Sequence, residues 1–347
     1  MEPHPNLLSL DDLTDGQLEH MFELAERLQA DPTLGRDALA GITVGLLFFR
    51  GSLRTRSSFE AAVAQLGGHP INLTAHTDFW ELEYREGRVM DGRAPEHVRD
   101  AARVLSSYVD LLAVRPAPEQ RKWAVDRADQ QIGAWAKFAN VPVVNMESGL
   151  WHPLQALADL FTLRRALGRQ TSGSSGPRRR ICLAWTHSPT PAPVSAAHSL
   201  LVAACRAGYE VRLAHPPGFD LDEQVVAQAR AAAGASGGEL VHATDLHDGI
   251  DGVDVVYARS WESLETYGDP TLSASRRAKA GDWRIDERLM ARGNDARLMH
   301  AMPVRRNVEV TDEVIDGPRS LLFEQAANRL PCQKALLLDL LGRGADL

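Results

Sequence analysis

Short apolar runs alternate with helical segments along most of the chain, and this alternation restricts the fold more than any other feature. The first set consists of GITVGLLFF at 41–49, HPINLT at 69–74, VDLLAVR at 109–115 and VPVVNM at 141–146. Short β-rich runs such as GITVGLLFF, apolar nearly throughout, are typical of strands buried on both faces of a sheet. Because helical or loop-like sequence separates each run from the next, we expect a mainly parallel sheet.

A second set of such runs repeats the alternation from residue 180 onward. It comprises RICLAWTHS, YEVRLAHP, GELVHAT, VDVVYARSW and ARLMHAMP, and it closes with the helical stretch QKALLLDLLG. A chain of 347 residues is long enough for more than one domain. We therefore predict an α/β protein with two doubly wound parallel-sheet domains. The first covers residues 1–151 together with a C-terminal helix at 331–347, and the second covers 152–330.

Three further segments complete the predicted organisation. Apolar periodicity predicts a helix within 9–30, with Ser9 or Asp11 as its cap, and another at 152–167 that leads into the second set. Between the sets, the Gly/Ser-rich and basic stretch at 168–180 is interpreted as a mobile surface linker, with a basic binding patch as the alternative.

The charge balance restricts the class of partner. The chain carries 38 Lys and Arg against 46 Asp and Glu, a formal net charge of −8, which does not suit nucleic acid or an anionic membrane. There is no cationic leader with an apolar core, and no apolar run approaches the ~20 residues that span a bilayer. We expect a cytosolic protein in which any anion site is a local concentration of basic groups.

Cysteine and metal-ligand patterns are uninformative in this chain. Cys182, Cys205 and Cys332 are widely spaced, odd in number and without a CxxC pattern, so we interpret them as reduced and structural, with a catalytic thiol as the alternative. Histidines and acidic residues show no HExxH or comparable spacing, and we expect no protein-bound metal.

Three arginines cluster where the first apolar run meets a helix, in FFRGSLRTRSSFE at 48–60. The unpaired N–H groups and positive dipole at the start of a helix favour anion binding. Ser52 can cap the helix, Arg54 can contact two phosphate oxygens, and Thr55 can add a hydroxyl donor. The stretch lacks the glycine and lysine spacing of a P-loop. The alternative is an ordinary helix cap followed by exposed arginines.

Other candidate groups are individually weak. Arg115 follows a predicted strand, at the edge of a parallel sheet that usually carries ligand groups. His152 and Gln155 lie three residues apart at the start of a helix and share a face, where they can hold a small carbonyl or amide group. Arg305 and Arg329 are candidates for further anion contacts. As structural alternatives, Arg115 would be an ordinary ion-pair partner and His152 would only start a helix. Arg305 and Arg329 would be ordinary surface arginines.

The order of these motifs is more specific than any one of them. SxRTR at 52–56, VRP at 114–116, HPxQxxAD at 152–159, HxMPVRRNxEVTDEV at 300–314 and AANR at 326–329 together resemble the aspartate/ornithine carbamoyltransferase family. The resemblance covers nearly the whole chain, and it is strongest for the branch that acts on N-acylated ornithine in arginine biosynthesis. It implies a carbamoyl-phosphate domain, a second domain for the amine substrate, and a catalytic homotrimer with active sites at subunit boundaries.

The resemblance also implies a role for individual residues. Ser52, Leu53, Arg54 and Thr55 would hold the phosphate, and Arg115 and Arg329 would add positive charge. His152 and Gln155 would hold the carbamoyl group, and the main-chain carbonyls of Ala301 and Met302 would accept from its NH₂. Glu147 and Arg305 would face the amine substrate, and Trp80 would reach into the site of a neighbouring subunit.

The implied reaction is attack of a neutral δ-amine on the carbamoyl carbon of carbamoyl phosphate, followed by expulsion of phosphate. It requires no metal or organic cofactor. Thr55, Arg115 and His152 would stabilise the developing oxyanion, and domain closure would exclude water. No side chain is assigned as general base, since the phosphate can take the amine proton.

The acyl group of the acceptor is predicted from VMDGRAPEH at 89–97. Acetylornithine enzymes resemble VMDGxxEEH, and the succinylornithine branch resembles the proline found here as Pro95. A glutamate beside the acyl tail would repel the free carboxylate of a succinyl group, whereas proline would not. We therefore favour N-succinylornithine over N-acetylornithine, and we note Pro193 as a second difference from the acetyl branch. The Pro-rich loop at 186–195 also resembles the one through which these two branches thread the chain into a trefoil knot, and the resemblance therefore implies such a knot in the second domain.

The sequence departs from the family pattern in three places. The stretch 265–283 lacks the lysine expected near the substrate carboxylate, and Arg276, Arg277 or Lys279 could replace it. Ala301 stands where many relatives have cysteine. One extra residue separates Glu147 from His152. Ornithine carbamoyltransferase and a non-catalytic ligand-binding paralogue are the more distant alternatives.

Overall fold

The computed structural model describes residues 6–170 and 178–344, so residues 171–177 of the predicted linker lie outside the described residues. The chain divides into two compact units. Unit 1 comprises Met1–Glu119, Ala124–Leu157 and Arg329–Leu347; unit 2 comprises Gln120–Trp123 and Ala158–Asn328.

Strands and helices alternate through much of the described chain. The strands are β1 Thr43–Phe48, β2 His69–Thr74, β3 Leu82–Glu83, β4 Glu96–His97, β5 Leu111–Arg115, β6 Val143–Asn145, β7 Arg180–Trp185, β8 Glu210–Ala214, β9 Glu239–Ala243, β10 Val255–Arg259 and β11 Arg297–Met299. The helices are α1 Asp15–Ala30, α2 Arg54–Gln65, α3 Val98–Leu105, α4 Trp123–Asp126, α5 Gln130–Phe138, α6 Pro153–Leu167, α7 Ser195–Arg206, α8 Glu223–Ser236, α9 Leu246–Ile250, α10 Pro270–Lys279, α11 Glu287–Met290, α12 Asp312–Ile315, α13 Leu322–Ala327 and α14 Arg329–Leu340. Short 3₁₀ turns occupy Leu10–Asp12 and Leu264–Thr266.

The main sheet of unit 1 has four parallel strands in the order β2-β1-β5-β6. Its central strand β1 is buried along the whole of Val44–Phe48, as expected for a strand covered on both faces. At Gly45 an added Cβ would come within 2.9 Å of the Leu112 side chain, so glycine permits this close packing of β1 on β5. The predicted parallel α/β architecture is confirmed.

The helix starts in unit 1 differ from two predictions. The segment 9–30 is interrupted: Ser9 caps the 3₁₀ turn, and α1 begins later with a reciprocal capping pair between Thr14 and Gln17. Helix α2 begins at Arg54, and the preceding residue Leu53 makes no side-chain capping bond. The prediction that Ser52 caps this helix is therefore wrong, since the helix starts two residues later.

The C-terminal helix α14 belongs to unit 1 and packs on α1 and α2. Its apolar residues, including Leu336, Leu337 and Leu338, are fully buried. Burial of several leucines at about 2 kcal/mol each fixes the helix firmly, which matters because its first residue is Arg329.

Unit 2 contains a five-stranded parallel sheet in the order β11-β10-β7-β8-β9. The helices α7 and α8 pack against each other beside it. Helix α8 has a well-defined start and end, because Asp222 accepts from the amides of Gln224 and Val225 and Gly237 takes a left-handed φ of 76°. Helix α10 begins with Asp269 as its cap and Pro270 in the first turn.

Two remaining features concern the whole described chain. Among residues 6–170 and 178–344, no helix combines the length and apolarity needed to cross a bilayer. The loop between β7 and α7 contains Pro189, Pro191 and Pro193. The trefoil knot that we associate with this loop stays a prediction.

Candidate active site

The strand order of the first sheet places a crevice at the carboxyl ends of β1 and β5. From β1 the chain continues to β2 on one side and to β5 on the other, so the strand order reverses between β1 and β5. Ligands of open α/β sheets bind outside the carboxyl ends of the strands at such a point. The register pairs Phe48, the last residue of β1, with Arg115, the last residue of β5. The residues that follow β1 therefore lie beside Arg115.

The start of α2 supplies the first candidate anion-binding groups of this crevice. No side chain caps the helix, and the residues just before and at its start are Ser52, Leu53 and Arg54. Ser52 and Arg54 are partly buried, while Leu53 is 74% exposed. The positive end of a 12-residue helix with no capping side chain is suited to an anion.

Arg329 joins two other predicted residues in a buried contact. Its guanidinium donates to the Thr55 hydroxyl at 2.7 Å and to the Gln155 side-chain oxygen at 2.9 Å. All three side chains are buried, with Arg329 only 3% exposed. These residues come from the starts of α14, α2 and α6, and the structure brings all three together within unit 1.

Glu147 is the counter-ion of two arginines in the same unit. Its carboxylate forms an ion pair with Arg115 and lies 3.3 Å from Arg50. The Arg50 guanidinium also donates to the Glu147 carbonyl, and Arg115 donates to the Met146 carbonyl at 3.3 Å. The Glu147 backbone has φ of 140°, a conformation that costs an L-residue free energy and that is held by the surrounding contacts.

His152 is buried close to this carboxylate, with Nε2 3.9 Å from Glu147 Oε2. Burial holds the pKa of His152 well below its usual value, because it disfavours the imidazolium cation. Arg329, Arg115 and Arg50 act in the same direction, and Glu147 opposes them. The imidazole is therefore neutral at pH 7, with one nitrogen able to donate and the other able to accept.

The loop between β6 and α6 is fixed by a carboxylate that the sequence did not single out. Asp129 accepts from the Ser148 hydroxyl and from the amides of Gly149 and Leu150 at 3.1 and 3.2 Å. Burial raises the pKa of Asp129 to about 6, while these hydrogen bonds oppose the shift. Gly149 lies so close to the Asp126 carbonyl that an added Cβ would approach it to 2.9 Å. The loop that carries Glu147 and leads to His152 is thus held from both sides.

Two of the three arginines of residues 48–60, Arg50 and Arg56, have separate environments. Arg50 contacts Glu147, and Arg56 donates to the Thr74 hydroxyl at 2.8 Å with its guanidinium 4.1 Å from the Phe48 ring centre. Arg56 therefore braces β1, α2 and β2 against one another. Arg50 had no predicted role, because its contact with Glu147 spans 97 positions in the sequence.

Trp80 and Pro95 lie in one exposed segment of unit 1. The short strands β3 and β4 pair in parallel, which brings the residues just after Trp80 beside those just after Pro95. Trp80 is 56% exposed, and its indole N–H donates to the Glu96 carboxylate at 2.8 Å. Pro95 immediately precedes Glu96 and is exposed. The two residues predicted to face the acyl group and a neighbouring subunit are therefore close to each other.

The remaining predicted residues lie at the carboxyl edge of the sheet in unit 2. The Ala301 carbonyl accepts from Arg259 at 2.8 Å, and Met302 packs against the core of the unit. Arg305 is exposed and donates to the hydroxyls of Ser188 and Thr190 at 3.1 and 2.6 Å. Arg259, at the end of β10, had no predicted role, because it is the last residue of an apolar strand and belongs to none of the motifs from which site residues were assigned.

The three basic candidates of residues 265–283 differ in environment. Arg276 pairs with Glu265 and donates to the Gly218 carbonyl at 3.3 Å, and Lys279 is exposed. Arg277 is buried, at 2% exposure. Within the described ranges, no group of three or more His, Cys, Asp and Glu side chains is placed to hold a metal ion.

Two parallel-sheet units, the first with partly buried arginines at the switch point of its sheet, define a two-domain α/β protein with a cationic crevice. Family models described as aspartate/ornithine carbamoyltransferase match this chain twice. The carbamoyl-P binding domain matches residues 5–165, and the Asp/Orn binding domain matches 194–340. The chain therefore belongs to the aspartate/ornithine carbamoyltransferase family, and it is a carbamoyltransferase.

Similar proteins carry three different names within this family. N-acetylornithine carbamoyltransferase of Xanthomonas campestris pv. campestris is 40% identical over 306 residues, covering 88% of this chain and 89% of the relative. Ornithine carbamoyltransferase of Parafrankia sp. is 39% identical and covers 95% and 94% of the two chains. N-succinylornithine carbamoyltransferase of Bacteroides fragilis is 32% identical and covers 90% of each.

A solved structure is similar over nearly the whole chain. It is a glutamate-to-proline variant of N-acetyl-L-ornithine transcarbamylase in complex with carbamyl phosphate and N-succinyl-L-norvaline. The identity is 37% and the TM-score is 0.91, with 96% of this chain and 99% of the other covered. The fold predicted from the sequence is thus confirmed.

Proposed function

We propose that this protein transfers the carbamoyl group of carbamoyl phosphate to the δ-amine of an N-acylated ornithine, with N-succinyl-L-ornithine as the favoured acceptor. The products are an N-acylcitrulline and phosphate, and the reaction serves arginine biosynthesis. The observation that carries the proposal is the pair of buried hydrogen bonds from the Arg329 guanidinium to Thr55 and Gln155. It joins the three helix starts that we assign to the phosphate and the carbamoyl group.

Unit 1 is the proposed carbamoyl-phosphate domain. Ser52, Leu53, Arg54 and Thr55 offer main-chain and side-chain donors at the start of α2, where the helix dipole favours a dianionic phosphate. Arg115 adds a second guanidinium from the end of β5. Charge-assisted donors of this kind stabilise the leaving phosphate as its negative charge grows.

The carbamoyl group is assigned to His152 and Gln155. A neutral imidazole can donate a hydrogen bond to the carbamoyl oxygen without carrying a charge that repels the nearby arginines. The Gln155 oxygen already accepts from Arg329, which fixes the orientation of its amide. Together with Thr55 and Arg115, His152 would stabilise the oxyanion of the tetrahedral intermediate, and removal of one such donor typically lowers kcat by ~10²–10³.

The proton balance of the reaction needs no protein base. The neutral δ-amine attacks the carbamoyl carbon, the C–O bond to phosphate breaks, and the departing phosphate can take the proton released from nitrogen. A phosphate dianion is basic enough near pH 7 to do so. We accordingly assign no side chain as general base.

Unit 2 is the proposed acceptor domain. Arg305 is exposed at the carboxyl edge of its sheet and can pair with the acceptor carboxylate. Its guanidinium also donates hydrogen bonds to the hydroxyls of Ser188 and Thr190. The main-chain carbonyls of Ala301 and Met302 follow β11 at the same edge. The Ala301 carbonyl accepts one bond from Arg259 and retains a second lone pair for the carbamoyl NH₂.

Pro95 is the residue that supports a succinyl over an acetyl acceptor. It carries no charge, so it does not repel a succinyl carboxylate that lies nearby. The neighbouring Glu96 carboxylate is hydrogen-bonded by Trp80. A relative with a glutamate-to-proline change was solved with N-succinyl-L-norvaline, which agrees with this interpretation. The name of the 40% identical relative supports N-acetylornithine as the alternative.

The experiment is an acceptor panel with purified protein and carbamoyl phosphate. We expect N-succinyl-L-ornithine to give the highest kcat/KM, with N-acetyl-L-ornithine lower and L-ornithine lowest. Pro95→Glu should shift the ratio of succinyl to acetyl turnover toward acetyl by at least about tenfold, the equivalent of ~1.4 kcal/mol. Glu96→Gln is the matched control for a charge change in the same segment.

Two results would overturn parts of this proposal. A strong wild-type preference for the acetyl compound would refute the argument from Pro95 while leaving carbamoyl transfer to acylornithine intact. No ureido product with any amine would instead support the non-catalytic binding alternative.

A further inference from the structure

A second crevice of the same kind lies at the carboxyl edge of the sheet in unit 2. The strand order β11-β10-β7-β8-β9 reverses between β7 and β10, since the chain moves from β7 toward β9 and then returns to β10. Ser188 follows β7, and Ser260 and Trp261 follow β10. These residues therefore line the two sides of the switch point where a ligand of this unit is expected.

Arg277 contacts both sides of this crevice from α10. Its guanidinium donates to the Ser188 carbonyl at 3.4 Å and to the Ser260 hydroxyl at 3.4 Å. A third bond, at 3.2 Å, goes to the Trp261 carbonyl. The side chain is 2% exposed, so it is a buried connection between the two loops rather than a surface group.

The surroundings of Arg277 hold its guanidinium in one place. The Trp261 carbonyl also accepts from the Trp185 indole N–H at 2.9 Å, and the Arg277 guanidinium lies 5.7 Å from the Phe219 ring centre. Burial lowers the pKa of Arg277, and the carboxylates of Glu262 and Glu309 oppose that shift. An arginine keeps its charge in such a site because its pKa is so high, so a fixed positive charge lies beside the crevice.

Ser188 links Arg277 to the exposed arginine of the same edge. Its carbonyl accepts from Arg277 and its hydroxyl accepts from Arg305 Nε at 3.1 Å. Arg305 also donates to Thr190, in the same loop as Ser188. The orientation of the Arg305 guanidinium therefore depends on the position of the loop after β7. Arg277 holds that loop in position.

We propose that Arg277 is a positioning residue for the acceptor: it joins the loops after β7 and β10 and, through Ser188, orients Arg305 toward the acceptor carboxylate. This inference rests on the proposed function, which assigns the acceptor to unit 2. It also distinguishes among the three basic residues of the stretch 265–283. Arg276 is engaged by Glu265 and Lys279 is exposed, whereas Arg277 alone among these three contacts both loops.

The test compares Arg277→Met and Arg277→Lys with Arg276→Met, a matched loss of charge from the same helix. Steady-state kinetics give KM for the best acceptor of the panel at saturating carbamoyl phosphate, and KM for carbamoyl phosphate at saturating acceptor. We expect Arg277→Met to raise the acceptor KM at least tenfold while KM for carbamoyl phosphate changes less than twofold. Arg277→Lys should recover part of the loss, and Arg276→Met should stay within twofold of wild type.

A second measurement covers the case in which Arg277→Met is too unstable to assay. Calorimetric titration of Arg277→Lys with N-succinyl-L-norvaline, in the presence of carbamoyl phosphate, should show weaker analogue binding than wild type and unchanged carbamoyl phosphate binding. Equal acceptor KM in wild type and Arg277→Met, or a larger effect of Arg276→Met, would overturn the inference. Failure of wild type to use any acceptor would instead refute the proposed function itself.

Discussion

At the scale of single residues, the contact of Glu147 with Arg115 has the clearest chemical consequence. The Glu147 carboxylate occupies a guanidinium that we assign to the phosphate, and it also lies near Arg50 and His152. A phosphate dianion at Arg115 must compete with this carboxylate. When the phosphate displaces the Glu147 carboxylate from Arg115, Glu147 would be free to face the amine. Binding of carbamoyl phosphate would therefore precede binding of the acceptor.

Replacement of Glu147 by Gln tests this competition. Loss of the carboxylate leaves Arg115 and Arg50 without their counter-ion, so carbamoyl phosphate should bind about tenfold more tightly, the equivalent of ~1.4 kcal/mol. Turnover should fall at least about tenfold, because the amine loses its partner. Titration calorimetry with carbamoyl phosphate gives the first value, and Glu60→Gln on the exposed face of α2 is the control. Weaker binding in Glu147→Gln would contradict the competition.

Residue-level prediction depended on whether a local motif carried the information. Thr55, Gln155 and Arg329 were selected from three separate motifs, and the structure joins them in one buried contact. Arg50 and Asp129 were not selected, because their partners lie 97 and about 20 positions away and no local pattern marks such pairs. The Ser52 cap was predicted from residue type alone, whereas the helix starts two residues later.

At the scale of elements, the loop between β6 and α6 is the feature that positions His152. Sequence periodicity predicts both flanking elements, since β6 lies within the run VPVVNM and α6 begins at Pro153, one residue after the predicted start. The conformation of the loop itself could not be predicted. It depends on Asp129, which lies in a left-handed backbone conformation at the start of α5 and accepts three hydrogen bonds from the loop.

Asp129 also makes the stability of unit 1 depend on pH. Burial raises its pKa to about 6 from a usual 3.8, so between these values the folded state binds more protons than the unfolded state. The free energy of unfolding should therefore fall as pH rises through this window and level off above pH 6, by roughly 1 kcal/mol between pH 5 and 7.5. Urea unfolding of wild type and Asp129→Asn at both pH values measures this difference.

The asparagine variant keeps the shape of Asp129 and one acceptor oxygen but does not titrate. Its free energy of unfolding should lack the decrease assigned to Asp129 between pH 5 and 7.5. An identical pH dependence in both proteins would show that Asp129 is not the titrating group. Asp126→Asn, at a neighbouring carboxylate whose negative charge contributes to the raised pKa of Asp129, serves as the comparison.

At the scale of the whole molecule, the exposed segment between β2 and β4 is the surface to which we assign assembly. Trp80, Val89 and Met90 are 56%, 81% and 40% exposed, an unusual concentration of large apolar side chains on one surface segment. We propose that this segment completes the active site of a neighbouring copy in a homotrimer. The stretch is fixed at its base by the pairing of β3 with β4.

Mixing of two inactive variants tests whether sites are shared. If Trp80 acts in a neighbouring site, Trp80→Ala and Arg54→Ala should each be inactive alone. After co-refolding or co-expression in equal amounts, roughly a quarter of the sites should combine intact Arg54 with intact Trp80 and recover activity. Light scattering on each of the two variants also measures the mass of the oligomer that it forms. No recovery on mixing, with trimers still formed, would place Trp80 outside the shared site.

The most direct test of carbamoyl transfer at the crevice of unit 1 is the rate of ureido product formation by Arg54→Ala. In the presence of carbamoyl phosphate and the best acceptor, we predict a loss of at least ~10³-fold in kcat/KM, because a forked contact to the phosphate is removed. Arg50→Ala, which lacks only a partner of Glu147, should lose less than about tenfold. The thermal transitions of both variants should stay near that of wild type. An Arg54→Ala protein that retains wild-type turnover would contradict the account.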